Sequence, residues 1–333
     1  MNEFRQDIVS GEWVLFAPDR AKRGIRVLQC EELNRDKEKC PFEDLEGNGN
    51  TVLKTYDWDG WDGWFAKVIN NKYPAVARNC IDEEAEIKKI GPFRSTEARG
   101  AHEVIVYGNH DKLMMEFDEK EMAQVFRIYK DRYEVITKEC ASEFILIFNN
   151  HGSKAGGSLY HPHSQIISTP VMPPDVEASV KGSERYYMEY KEKVYDAMIR
   201  YEMQEGKRII AENDDFVAFC PFASKTPYEM RVFPKEDGAH FNDISENNII
   251  NLGDIVSKIL KKMDKVLKRP DYNFFIHTSP LHRRWEKPEY FYTWHIEILP
   301  KISLVGGFEI GSGIYVNVID PDDAARQMRD AEI

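Results

Sequence analysis

The order strand–helix–strand–strand is written twice along this chain, and that repetition limits the possible fold more than any other feature. In the first copy GAHEVIVYGNH alternates as a strand, and DEKEMAQVFRIYKDRYEVITKE follows as a helix. Met122, Val125, Phe126, Tyr129, Tyr133 and Ile136 fall on one helical stripe, and Asp118 with Glu121 has the spacing of a capping box. The strand EFILIFNN, a glycine-rich loop and a second strand beginning at HPHSQIIS complete the unit. In the second copy PYEMRVFPKEDGAHF supplies a strand and turn. Ser245 then opens a helix with Ile249, Leu252, Val256, Ile259, Met263 and Val266 on one face. NFFIHTSP, a loop rich in Arg and Pro, and TWHIEILP close it. On this reading His161 and His295 hold equivalent places, at the start of the last strand of each copy. Internal duplication of such a unit predicts an α+β architecture, with antiparallel sheets and helices packed on one side. The repeats are expected at 1–175 and 176–333, joined through the polar stretch between about 172 and 205.

Charge narrows the partners. The chain carries 45 basic and 57 acidic residues, a net charge of −12. A phosphate polymer or an anionic membrane needs a broad basic surface, so neither nucleic acid nor membrane is expected as a partner. A small anionic ligand needs only a few local cations and is not excluded. No run of about 18 apolar residues is present to span a bilayer, and MNEFRQDIVSGEW lacks the apolar core of a signal peptide. Five scattered cysteines (Cys30, Cys40, Cys80, Cys140, Cys220) in such a chain read as reduced, and the protein as cytoplasmic.

The segment FNNHGSKAGGSLYHPHSQIISTP holds the densest chemistry. If HPHSQ is extended, His161, His163 and Gln165 share one face, because strand side chains repeat every two residues. Gly152, Gly156 and Gly157 let backbone N–H groups come close to a pyrophosphate. A neutral imidazole can attack phosphorus and later leave, dividing one transfer into two displacements. Gln165 can donate to the phosphoryl oxygen as charge shifts during attack. By itself an H-P-H triplet could equally be a surface turn or a metal clip; the loop and Gln165 favour catalysis.

This segment resembles the active-site strand of the galactose-1-phosphate uridylyltransferases, a branch of the histidine-triad superfamily with a duplicated fold. The resemblance also covers DIVSGEWVLFAPDRAKR, CPFE, VINNKYPAV, GAHEVIV, IHTSPL and GGFEIGSGIYVN, in order and nearly end to end. It implies a duplicated histidine-triad-like unit, His163 as the nucleophile and Gln165 as its hydrogen-bonding partner for the transferred phosphate. Asn71, Asn150, Gly156 and Ser158 match positions that hold the nucleotide and its phosphates, and Arg20 and Arg23 match basic residues near them. The resemblance further implies a homodimer in which loops of one subunit close the other's site.

It also implies a structural zinc. Cys40, His102 and His161 match three of the usual ligands, and Glu43 stands where the second cysteine is expected; a carboxylate can take that place. A second metal would be drawn from His277, His295 and Glu297. His110, His151, His240 and His282 receive no role. Where galactose-pathway enzymes hold the sugar phosphate with a lysine and a glutamine, this chain has Ser303 and Tyr315. That departure, with HPHSQ, looks like the plant ADP-glucose phosphorylase branch, which uses phosphate as acceptor. The expected activity is nucleotidyl transfer through a nucleotidyl-His163 intermediate, with UDP-glucose and a hexose-1-phosphate as substrates in galactose metabolism. The alternatives are an ADP-sugar or dinucleotide phosphorylase, a histidine-triad hydrolase, and a nucleotide-sugar-binding protein without turnover.

Overall fold

A computed structural model describes residues 2–23, 33–59, 61, 63–78, 85–236, 238–281 and 287–333, with the side chains of 21–23 left aside. The chain begins with β1 (Glu3–Gln6), β2 (Trp13–Phe16), β3 (Val52–Asp57), β4 (Trp64–Asn70), β5 (Lys88–Ile90), β6 (Phe93–Ser95) and β7 (His102–Tyr107). Then come α1 (Glu119–Glu139), β8 (Phe144–His151), β9 (His163–Thr169), α2 (Pro174–Tyr190) and α3 (Val194–Glu205). The remainder is β10 (Ile209–Glu212), β11 (Phe216–Phe219), β12 (Met230–Pro234), α4 (Glu246–Leu267), β13 (Tyr272–His277), β14 (His295–Pro300), α5 (Gly307–Ser312), β15 (Tyr315–Asn317) and α6 (Pro321–Asp330).

Both long helices start where side chains satisfy the orphan amides of a first turn. Asp118 accepts from the N–H of Lys120 and Glu121, while Glu121 reaches back to the Asp118 N–H at 2.7 Å, closing the capping box. Ser245 Oγ accepts from the Asn248 N–H at the head of α4. The stripes from Met122 to Ile136 and from Ile249 to Met263 are buried together against the sheet, and Val266 packs at their edge. Truncating one of these large side chains, Phe126→Ala for example, removes about 3–5 kcal/mol by the usual cost of a core cavity.

Among the described residues ten strands form one sheet in the order β10-β11-β12-β14-β13-β8-β9-β7-β4-β3, with every neighbouring pair antiparallel. The order reads alike from the centre outward. β8 is followed by β9, β7 and β4, and β13 by β14, β12 and β11, with β8 and β13 joined in the middle. The register matches as well: Phe148 lies opposite Gln165, Phe275 opposite Glu297, and Phe148 opposite Phe275. His295 therefore corresponds to His163, two residues beyond the His161 expected from the sequence. β9 and β14 begin at these two histidines.

The helices α1 and α4 cover one face of the sheet, with α6 packed beside them. On the opposite face α2 and α3 cover the C-terminal half, where Val180, Tyr195 and Ile199 meet Val217, Phe219 and Phe233. Among the described residues, the same face of the N-terminal half carries a small cluster of Phe42, Leu45, Ile69, Val104 and Val106. Cys40 and Cys220 carry free thiols, whereas Cys140 is disulfide-bonded, so the cysteines are not uniformly reduced as expected. Among the described residues no helix is long and apolar enough to cross a membrane.

Candidate active site

The open face of the N-terminal half carries the histidine strand. Ser164 points the other way, where its Oγ meets the hydroxyls of Tyr107 at 2.8 Å and Tyr129 at 2.6 Å. This buried knot holds the backbone of β9 against α1, and alternation then turns His163 and Gln165 to the opposite face. Asn149 of β8 donates to the His163 carbonyl and fixes the strand from its other edge.

His163 is 7% exposed and lines a cavity of about 550 Å³ with His161, Asn150, Tyr160 and the 152–154 loop. Its Nδ1 lies 2.9 Å from the His161 carbonyl oxygen, which can only accept. The ring's proton is therefore on Nδ1 and the lone pair on Nε2. Burial lowers the affinity of this imidazole for a second proton, and the hydrogen bond to the carbonyl opposes that only in part. The result is a neutral, oriented imidazole, the state in which histidine acts as a nucleophile.

The loop ahead of β9 is tight for reasons its glycines explain. A Cβ on Gly152, at φ +83°, would lie 2.2 Å from the Asp271 carboxylate, and one on Gly157 would lie 2.8 Å from two carbonyl oxygens. Asp271 uses that space to accept from the Lys154 N–H at 2.7 Å. Asn150 is pinned by Asn273, whose amide also bonds the Ala155 carbonyl. Gly156 and Ser158 are exposed on the same loop.

Other expected residues fall elsewhere. Arg20 is exposed on a short turn and does not line the cavity; the Arg23 side chain and His282 lie outside the described residues. Among the described residues the cations that line it are Arg35, Lys154 and Arg269. Arg35 lies over the Tyr160 ring at 5.1 Å, and Arg269 pairs with Glu116. Sequence reading passed over them because nothing local marks them; the fold brings 35, 154 and 269 together. Tyr315 lines a different, smaller cavity on the C-terminal half.

A group of potential metal donors stands just before β9. His161 Nδ1 is 3.6 Å from Cys40 Sγ, 3.2 Å from His110 Nδ1 and 3.3 Å from Glu43 Oε1, and Glu43 Oε1 is 3.2 Å from His110. Donors around a tetrahedral zinc lie about 3.3 Å apart for nitrogen and oxygen and about 3.6 Å for nitrogen and sulfur, given its bond lengths. Each imidazole keeps its other nitrogen on a carbonyl, His161 on Tyr107 at 2.6 Å and His110 on Arg35 at 3.1 Å. Such anchoring holds metal-binding histidines in one orientation. Cys40, His110 and His161 bring their donor atoms within 4.8 Å of one another, a set that suits zinc, with Glu43 beside the two histidines; it contains His110 where His102 was expected. The register shows why: His102 pairs with Ile167, whereas Val106 pairs with His163. His102 is thus at the wrong end of β7 to reach His161, while His110 lies on the turn just past the right end. His102 instead meets Gln165 and Asn71.

His277, His295 and Glu297 also converge, with donor atoms within 4.8 Å of one another and the two rings stacked at 4.9 Å. Glu297 is already ion-paired with Arg231, whose Nε lies 2.9 Å from Oε1. Ser179 and Asp175 of α2 line the surrounding cavity of about 220 Å³.

This mixed sheet-and-helix fold sets a neutral imidazole beside a glycine loop, an arrangement in which a nitrogen lone pair and backbone amides can meet a phosphate. The family model for galactose-1-phosphate uridyl transferase, N-terminal domain, matches residues 1–173, and one for a domain of unknown function (DUF4921) matches residues 99–331. ADP-glucose phosphorylase of Arabidopsis thaliana is 32% identical over 99% of this chain and 93% of its own length. Galactose-1-phosphate uridylyltransferase of Thermotoga maritima is 25% identical over 100% of this chain and 99% of its own. The solved structure of an ADP-glucose phosphorylase from Arabidopsis thaliana with bound ADP-glucose is 31% identical. It superposes with a TM-score of 0.83 over 100% of this chain and 99% of that one. The chain belongs to the galactose-1-phosphate uridylyltransferase family, and it is a nucleotidyltransferase of that family.

Proposed function

We propose that this enzyme is an ADP-sugar phosphorylase that works by double displacement through His163. The observation that carries the reading is the buried His163 imidazole, bound through Nδ1 to the His161 carbonyl and facing the cavity. In the first step its Nε2 lone pair attacks the α-phosphorus of the nucleotide sugar. The bond from phosphorus to the bridging oxygen breaks, and the sugar-1-phosphate leaves with those electrons. The ring, now cationic, keeps its Nδ1 proton on the His161 carbonyl. In the second step an oxygen of inorganic phosphate attacks the same phosphorus, the P–N bond breaks, and ADP leaves. Gln165 donates to the phosphoryl oxygen in both steps, and Asn150 and the loop of Gly156 and Ser158 hold the phosphates.

Adenine and phosphate are favoured over the uridine and hexose phosphate first expected from family breadth. The support is the similarity to ADP-glucose phosphorylase over nearly all of both chains, together with Ser303 and Tyr315 at the expected places of the sugar-phosphate grip. UDP-glucose:hexose-1-phosphate transfer is the second reading, supported by the uridylyltransferase relatives. Zinc held by Cys40, Glu43, His110 and His161 would be structural. Its bracing of His161 would steady the carbonyl that orients His163. Leu304, Val305, Phe308 and Ile310 form an exposed apolar run, which supports a homodimer closed through this segment.

The test is product analysis with ADP-glucose or UDP-glucose and either phosphate or galactose-1-phosphate. The proposal expects ADP and glucose-1-phosphate from the pair ADP-glucose and phosphate, at least about tenfold faster than any uridine pair. Faster transfer from UDP-glucose to galactose-1-phosphate would replace it with the second reading, and free AMP without an acceptor would mark a hydrolase.

A further inference from the structure

Two backbone amides decide which way Gln165 presents its carboxamide. The loop after β4 runs past the outer end of β7, where the Ala75 N–H donates to His102 Nδ1 at 3.1 Å. The Tyr73 N–H donates to Asn71 Oδ1 at 2.9 Å. A backbone amide can only donate, so each fixes the polarity of the side chain it meets. His102 Nδ1 must carry a lone pair, and the neutral ring holds its proton on Nε2. The Asn71 carbonyl is occupied, so its NH₂ is the end turned toward β9.

Both donors converge on one atom. His102 Nε2 lies 2.9 Å from Gln165 Oε1, and Asn71 Nδ2 lies 3.5 Å from it. The 3.2 Å between His102 Nε2 and Asn71 Nδ2 is the approach of two donors that share an acceptor. Gln165 therefore turns its oxygen toward β7, leaving its NH₂ as the end available to a ligand. His102 and Gln165 share the face of the sheet that carries His163, since His102, Val104 and Val106 alternate on β7 as Ile167, Gln165 and His163 do on β9.

We propose that His102 is a positioning residue for nucleotidyl transfer: held as its Nε2–H tautomer by Ala75, it fixes Gln165 Oε1 and so aims the Gln165 NH₂ at the phosphoryl group. This rests on the roles given to His163 and Gln165 above. The two ends of a carboxamide have nearly the same shape, so packing alone does not choose between them. Turned over, Gln165 would present a carbonyl lone pair to an anionic phosphate, replacing a hydrogen bond with a repulsion. The donor at the position of the imidazole Nε2, at 2.9 Å against 3.5 Å for Asn71, is the stronger of the two that oppose this, which distinguishes the role from simple space filling.

The test measures single-turnover formation of the nucleotidyl adduct from ADP-glucose and UDP-glucose. Donor affinity is measured separately in a His163→Ala background, where no adduct forms. His102→Ala slows adduct formation by about 10- to 100-fold, in the range for misplacing one transition-state donor, with donor affinity within about threefold. His102→Gln, whose NH₂ can reach the place of the imidazole Nε2, recovers most of the rate. His102→Ala adds nothing to Gln165→Ala, because its effect passes through that side chain. In ¹⁵N-histidine-labelled enzyme, two-bond ¹H–¹⁵N spectra show His102 protonated at Nε2. Additive losses in the double variant, a proton on Nδ1, or a wild-type rate in His102→Ala while Gln165→Ala is slow would each overturn the proposal. A wild-type rate in Gln165→Ala would instead remove the reading of Gln165 on which it stands, and this proposal with it.

Discussion

His163 opens β9 and His295 opens β14, and each imidazole donates from Nδ1 to the carbonyl two residues earlier, at 2.9 Å to His161 and 3.1 Å to Thr293. Two residues on, the strands part. The first has Gln165, a neutral amide; the second has Glu297, a carboxylate. On the neighbouring strands Val104 stands opposite Gln165, whereas the buried Arg231 stands opposite Glu297. Arg231 is also held by Glu229 at 2.9 Å and Asp7 at 3.4 Å. Burial raises the Glu297 carboxyl, but Arg231 and His277 outweigh it and hold the group well below the usual carboxylate range. Above β14 the helices α2 and α3 close the face, with Tyr195 5.7 Å from His295. Above β9, among the described residues, the face opens to a cavity more than twice as large. One backbone geometry thus serves opposite ends. Where the partner residue is neutral and the face open, an anionic phosphate can approach; where it is anionic and covered, charge is answered internally.

The largest expected effect comes from removing the two histidines in turn. His163→Ala lowers steady-state transfer by at least about 1000-fold, the scale seen when a covalent nucleophile is removed. His295→Ala acts on melting temperature far more than on turnover, and equal catalytic losses in the two variants would break the comparison. Gln165→Glu gives β9 the pattern of β14 and places a carboxylate against the phosphate. Transfer falls by about 100- to 1000-fold, and a loss below about threefold would show that the amide's neutrality is not what separates the halves. In the second half Arg231→Met strands Glu229 and Glu297 without their cation. Urea denaturation is expected to register a loss of about 3–5 kcal/mol, the usual cost of breaking a buried ion pair from one side. A loss under about 1 kcal/mol would deny the network its role.

The smallest effect is in acid. Burial keeps His163 neutral below its ordinary range, so adduct formation holds level from pH 8 down to about 6.5 and declines only at lower pH. The folded state then binds fewer protons than the unfolded chain, so stability also falls as pH drops below about 6.5. A stopped-flow profile with its midpoint above about 6.5 would contradict the buried, neutral nucleophile. Metal content sharpens the remaining assignment: His110→Ala lowers bound zinc by mass spectrometry of metals, while His102→Ala leaves it unchanged.

Much of the molecule could be read in the sequence because local rules govern it. The Asp118 cap, the stripes of α1 and α4, and the strands around GAHEVIVY and EFILIFNN follow from spacing alone, and each appears in the structure. The approach of His163 to its own chain two residues back is local too. What escaped was set by register. The family resemblance puts a ligand at His102 and none at His110, and alternation cannot correct it because it does not say which end of β7 adjoins His161. The same blindness hid Arg35, Lys154 and Arg269, gathered from three distant segments, and the pairing of Arg231 with Glu297 across β12 and β14.

Intact-protein mass spectrometry after incubation with ADP-glucose or UDP-glucose, without acceptor, looks for the nucleotidyl-His163 adduct itself. A gain of one AMP from ADP-glucose is expected, lost on addition of phosphate and absent in His163→Ala. An adduct of the same mass that persists in His163→Ala would contradict His163 as the nucleophile.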